Sequence, residues 1–262
     1  MRSLRLVALS ALAAAVVVVA SPAHAPRKVV RPFLVYYGGL PANGGPALAR
    51  RVAARFRGYP VVVFGWALRR ARLALLVRRL LPRTRLYGYV DVGHVRAARV
   101  LAELRALGRL GFAGALLDDV GTGLSTRPGA LQAVVDAAYR DRLDVLLNAW
   151  NPAPVLGLHL RPARSAILCE NWVFSDGGWH APRPRAAWAD LRRLERAGVS
   201  VFMIVTAAHA PVAPAAVRRG VRLTAYLEFG QYLALSGPNY SADSDAVFPP
   251  GRLRAMLRAL AF

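Results

Sequence analysis

The segment Gly111-Phe-Ala-Gly-Ala-Leu-Leu-Asp-Asp-Val-Gly121 decides the architecture. A short apolar run stops at two adjacent carboxylates, Asp118 and Asp119, and a glycine closes it. The chain has only 14 acidic residues, so a pair at the end of an apolar run is poorly explained as surface decoration. Four other apolar runs end in the same manner: at Asp91, at Asn148, at Glu170-Asn171 and at Glu228. Carboxyl ends of buried parallel strands are where α/β proteins place ligands and chemistry.

Working outward, eight apolar runs read as buried strands: Phe33 to Tyr37, Val61 to Phe64, Arg85 to Val90, Gly114 to Leu117, Asp144 to Leu147, Ser165 to Cys169, Ser200 to Val205 and Arg222 to Leu227. Segments of helical periodicity separate them. Pro46 to Arg57, Leu68 to Leu81, Val95 to Leu110, Pro128 to Arg140, Pro184 to Ala197, Pro214 to Arg219 and Pro250 to Leu260 are the expected helices. Pro82 stops the second, Gly111 and Gly198 stop the third and fifth, and Pro128 suits a first turn. Eight strands alternate with helices, so the expected fold is α/β: a single (β/α)8 TIM-like barrel. An open doubly wound sheet is the rival, but no G-x-G-x-x-G follows the first strand. The longest irregular stretches, Phe174 to Arg183 and Gly230 to Phe248, are expected as loops on the catalytic face.

The first 25 residues read as a secretory signal peptide: Arg2 and Arg5, an apolar run from Leu6 to Ala20, then Ala23-His-Ala25. Cleavage there leaves residues 26–262 as one barrel domain, expected to be exported, with no transmembrane segment. The lone Cys169 excludes an intramolecular disulfide and reads as a small buried apolar residue. The net charge is +22, almost all from arginine, with Lys28 the single lysine. Either a compositional bias or attraction to an anionic surface polymer accounts for it. The arginines are spread over several helices without interleaved aromatics, so nucleic acid is not an expected partner.

Set around a barrel mouth, the strand tips supply Tyr37, Asp91, Asp118, Asp119, Asn148, Trp150, Glu170, Asn171, Trp172 and Glu228, and the loop after strand six adds Trp179. Carboxylates can protonate a leaving oxygen and activate water or attack a sugar carbon. Carboxamides hydrogen-bond hydroxyls, and Tyr and Trp faces stack on pyranose C–H surfaces. The mixture suits a polysaccharide better than a phosphate ester. Neighbouring residues on a strand point opposite ways, so one of Asp118 and Asp119 is expected to face the pocket and the other to make a structural contact. Asp91 reads equally as a supporting carboxylate, Glu228 equally as a rim ion pair, and His94 as the start of a helix. No His pair, Cys cluster or Gly-x-Ser-x-Gly elbow is present, so neither a metal, a cofactor nor a serine nucleophile is expected.

These residues carry a resemblance. Tyr87-Gly-Tyr-Val-Asp91, Gly114-Ala-Leu-Leu-Asp-Asp119, Asn148-Ala-Trp-Asn-Pro152 and Cys169-Glu170-Asn171 resemble, in order, short motifs of the spherulin-4-like glycoside hydrolases and of the endo-α-1,4-polygalactosaminidase-type barrels. The resemblance implies a TIM-like barrel that hydrolyses an amino-sugar polymer of the galactosamine or N-acetylgalactosamine type. It implies Asp118 and Glu170 as the catalytic pair; Asp119 and Asp91 are expected in support. The chain departs from the pattern at Asp119, where those proteins have Glu, and in the Ala-Trp pair after Asn148. An anionic glycan is a second substrate class compatible with the charge, and a non-catalytic glycan-binding barrel is the alternative function.

Overall fold

The computed structural model describes residues 30–37, 45–65, 67–127, 129–170, 174–175, 178–179, 185–206, 232–236 and 255. The expected signal peptide, the Pro214 to Arg219 helix and the Arg222 to Leu227 strand lie outside these residues, as does nearly all of the Pro250 to Leu260 helix. Eight parallel strands close into a barrel. They are β1 (Arg31–Tyr36), β2 (Val61–Phe64), β3 (Arg85–Asp91), β4 (Gly114–Val120), β5 (Asp144–Ala149), β6 (Ser165–Glu170), β9 (Ser200–Thr206) and β10 (Tyr232–Ser236). The labels β7 (Phe174–Ser175) and β8 (Gly178–Trp179) belong to a small antiparallel ribbon after β6, inside a stretch expected to be irregular. Helices α1 (Pro46–Phe56), α2 (Ala71–Leu80), α3 (Ala97–Leu110), α4 (Ala130–Arg140) and α6 (Arg185–Arg196) lie between barrel strands, as does the one-turn α5 (Ala153–Leu156). Among the described residues no helix is long and apolar enough to cross a membrane.

The strands read as unbroken apolar runs because both faces are buried. Leu34, Val62, Val90, Ala115 and Leu147 face outward and pack under the helices. The other parity fills the barrel: Phe33 and Val35, Val61 and Val63, Tyr87, Leu116, Leu146, Leu168, Phe202 and Ile204, Tyr232 and Ala234. Helix ends follow local chemistry. Gly111 takes φ +70° after α3, and its amide donates back to the carbonyls of Leu107 and Gly108. Helix α4 begins at Ala130 rather than at Pro128, because Gly129, at φ +72°, is its N-cap.

The last strand corrects the sequence reading. The barrel closes with Tyr232–Ser236, which pairs with β9 over five residues and with β1 at Arg31 and Pro32. This strand lies in the stretch from Gly230 to Phe248 that was expected as a loop. Two short apolar runs follow one another here, and periodicity over five or six residues does not separate them. Aromatic packing anchors the strand that closes the barrel. Tyr232 stacks on Phe202 with ring centroids 4.1 Å apart and planes at 10°, and Phe33 meets Phe202 edge-on at 4.9 Å. These three rings join β10, β9 and β1 inside the barrel where the β1–β10 ladder is shortest. Phe202→Ala should therefore cost about 3–5 kcal/mol in urea unfolding; a loss below ~1 kcal/mol would show that the seam does not depend on the ring.

Candidate active site

Inward parity, once set in the core, carries to the strand tips. On β3, Tyr87 and Tyr89 face the barrel interior and Asp91 is next on that side. On β4 the interior Leu116 is followed by Asp118, on β5 Leu146 by Asn148, and on β6 Leu168 by Glu170. These strands are consecutive neighbours in the barrel, so their polar tips meet at one mouth.

Asn148 joins the two principal carboxyls. It is buried, and its Nδ2 donates to Asp118 Oδ1 at 2.6 Å. It also hydrogen-bonds Glu170, which favours the charged form of that carboxyl. Burial pushes the other way and more strongly. With the negative charges of Asp118 and Asp119 adding to it, the Glu170 carboxyl is raised to about 7. Tyr89 is the second partner of Asp118: its hydroxyl hydrogen-bonds that carboxylate, and burial together with the carboxylate charges pushes the phenol above its ordinary range, so it stays a donor. The Tyr89 ring meets Tyr37 edge-on at 5.6 Å.

Asp119 breaks the parity. The β4–β5 register shifts between Leu117 and Val120, and Asp119 takes φ +58°. Left-handed backbone at a non-glycine residue costs ~1–3 kcal/mol unless its surroundings hold it. Here the Asp119 carbonyl accepts from Thr122 N at 3.2 Å, Thr122 Oγ1 at 2.8 Å and Ser125 Oγ at 3.3 Å. The following loop is pressed against the loop after β3 so closely that a Cβ on Gly123, itself at φ +49°, would lie 1.5 Å from the Gly93 carbonyl oxygen. The bulge thus turns Asp119 toward the β3 loop instead of into the wall. His94 Nδ1 lies 3.2 Å from Asp119 Oδ2 and 3.4 Å from Asp91 Oδ1. Burial, then the Asp118 charge, raises the Asp119 carboxyl above its ordinary value, and His94 opposes this.

Asp118, Asp119, Asp91, Asn148 and Glu170 are therefore gathered at one mouth, and both members of the aspartate pair belong to it. Asp91 serves first as a loop holder, its Oδ1 accepting from the amides of Gly93 at 2.9 Å and His94 at 2.8 Å. His94 does not begin a helix, which starts at Ala97. Tyr37 packs over Gly65 beside Tyr89, and Trp150, 53% exposed, follows β5 directly. Trp179 falls in the ribbon after β6. Asn171, Trp172 and Glu228 lie outside the described residues, and the tip expected for Glu228 passes to Ser236, the end of the strand that closes the barrel. Tertiary structure adds Tyr89 and gives His94, read from the chain as the start of a helix, two carboxylate partners. Tyr89 was findable as the residue two before Asp91 on the same face. Asp91, His94 and Asp119 each bring one ligand atom within 4.8 Å of the others, a donor set able to hold a cation. Searches for short-range metal spacings miss it, because its members come from two loops.

No protein-family model and no curated protein matches the chain. Solved structures do match. The chain is similar to tryptophan synthase of Mycobacterium tuberculosis, with 18% identity over 89% of this chain and 92% of that one at a TM-score of 0.51. It is similar to the glycoside hydrolase domain of PelA from Pseudomonas aeruginosa, with 17% identity over 80% of this chain and 98% of that one at a TM-score of 0.51. It is also similar to dihydrodipicolinate synthase (DHDPS) of Cyanidioschyzon merolae, with 12% identity over 89% and 76% of the chains at a TM-score of 0.56. The fold is a TIM barrel. At these identities the likeness concerns the fold, which hosts many chemistries.

The raised Glu170 carboxyl has a consequence for stability. Its folded pKa of about 7 exceeds the unfolded 4.5, so its contribution is complete below pH 4.5 and is lost as pH rises through 7. Glu170→Gln should make the protein about 3 kcal/mol more stable than the parent at pH 8, with no difference at pH 4. Equal stabilities at pH 8 in chemical denaturation would contradict the burial of this charge.

Proposed function

We propose that this protein is an exported glycoside hydrolase acting on an amino-sugar polymer through Asp118 and Glu170. The observation that carries the reading is Asn148 hydrogen-bonding both carboxyls in one barrel mouth. Two carboxyls in unlike environments suit the two roles of glycosidic cleavage. Glu170, with its carboxyl near 7, is the acid. Asp118, fixed by Asn148 and Tyr89, is the nucleophile.

In that mechanism Glu170 gives its proton to the glycosidic oxygen as Asp118 attacks the anomeric carbon. The C–O bond breaks, the leaving sugar departs with the proton, and a glycosyl ester forms on Asp118. The Glu170 carboxylate then takes a proton from water, whose oxygen attacks the same carbon. Asp118 is released and Glu170 is protonated again. Tyr37, Trp150, Trp172 and Trp179 would shape the sugar subsites. Four of the chain's 14 acidic residues, Asp91, Asp118, Asp119 and Glu170, stand at this mouth, which suits a cationic amino sugar despite the net charge of +22. The PelA domain, described as a glycoside hydrolase, supports the class and leaves the sugar to experiment.

Reducing-end release across galactosamine, N-acetylgalactosamine and uronate polymers tests the reading. Activity on an amino-sugar polymer should fall at least ~10³-fold in Asp118→Asn and in Glu170→Gln. Binding without release from any polymer would point instead to a glycan-binding barrel. The first product should keep the anomeric configuration of the substrate by NMR, and an inverted product would remove Asp118 as nucleophile. Treatment with EDTA should leave the rate unchanged; its loss, restored by a divalent ion, would move the chemistry to Asp91, His94 and Asp119.

A further inference from the structure

The opposite end of the barrel carries a second concave surface. The starts of β1, β2 and β3 surround a groove of about 630 Å³. Three arginines line it from three separate segments: Arg31 opens β1, Arg57 follows α1, and Arg83 sits in the turn before β3. All three are exposed, and among the described residues no Asp or Glu lines the groove. Among the described residues none of the three has an acidic partner. Nearby arginines contrast with them: Arg85 and Arg164 both pair with Asp144. The groove also holds Leu80, which is 44% exposed. Among the described residues it is one of two large apolar side chains left to solvent, and the other, Trp150, stands at the carboxylate mouth.

We propose that this groove binds an anionic, uronate-bearing polysaccharide, with Arg31, Arg57 and Arg83 pairing its carboxylates and Leu80, Pro32 and Pro60 meeting its ring C–H faces. A guanidinium fork matches a carboxylate in two parallel hydrogen bonds. Among the described residues the groove's one aromatic, Tyr59, is buried and offers no exposed ring on which bases would stack, as single-stranded nucleic acid requires. The site lies on the face where strands begin, while the carboxylates lie where they end. One protein can then hold an anionic polymer at one end of the barrel and act at the other. The binding does not depend on the hydrolytic reading.

The test is calorimetric titration of the full chain with a long oligogalacturonide at low salt, with neutral dextran and polyphosphate in parallel. Arg31→Gln, Arg57→Gln and Arg83→Gln combined should weaken oligogalacturonide binding at least ~10-fold. A control combining Arg50→Gln, Arg109→Gln and Arg140→Gln removes the same charge from exposed positions on α1, α3 and α4 and should change it less than ~2-fold. Raised salt should weaken binding to the parent, dextran should not bind, and Glu170→Gln should bind as the parent does. If the triple variant loses its circular-dichroism signature, Arg83→Gln alone, on an exposed turn, should still weaken binding measurably. An equal loss in the control, no binding by the parent, or tighter binding of polyphosphate through the same three arginines would overturn the proposal.

Discussion

A closed parallel barrel has one interior, and a strand that sends a residue inward at its middle also sends one inward at its tip. The candidate site depends on this constraint. Leu116, Leu146 and Leu168 are fixed inward by packing in the barrel core, and Asp118, Asn148 and Glu170 stand two residues beyond them. Hydrophobic burial, a non-directional force, thereby fixes the direction of three polar groups. The parity fails once, at Asp119. There a register shift and a left-handed residue turn the second aspartate toward His94, and the Thr122 and Ser125 contacts to its carbonyl stabilise the break.

The mouth concentrates negative charge in a protein whose sum is strongly positive. Burial makes each charge there more expensive, and the groups answer differently. Glu170 and Asp119 are raised by burial and by their neighbours, while the Tyr89 phenol keeps its proton and donates. Asn148, an uncharged donor, reaches two carboxyls whose charges repel. Charge separation along the barrel axis accompanies this: acids gather where strands end, and Arg31, Arg57 and Arg83 gather where three of them begin. Net charge alone conceals that arrangement.

Much of the fold was legible in the chain because doubly buried strands leave continuous apolar runs, and seven of the eight expected runs are barrel strands. The closing strand Tyr232–Ser236 was read as loop because Thr224-Ala-Tyr-Leu and Tyr232-Leu-Ala-Leu are alike as local patterns. The stacking of Tyr232 on Phe202 that distinguishes the latter is a contact between distant segments. The site divides similarly. Asp118, Asn148 and Glu170 were visible as polar residues ending apolar runs. The bulge at Asp119 was not, since strand alternation assigns it to the opposite face. Nor were the His94 contacts, which need two loops pressed together at Gly93 and Gly123; the inward side of Tyr89 follows from Asp91, but its bond to Asp118 on the next strand does not.

The central claim is that Asp118 and Glu170 form one coupled pair in a buried mouth. The titration of Glu170, followed by carbon-13 NMR of its side-chain carboxyl in the parent and in Asp118→Asn, tests that claim most directly. The account predicts a midpoint near 7 in the parent, moving down when the Asp118 charge is removed, because that charge raises Glu170. A midpoint near the ordinary glutamate value, or one that ignores the substitution, would contradict it.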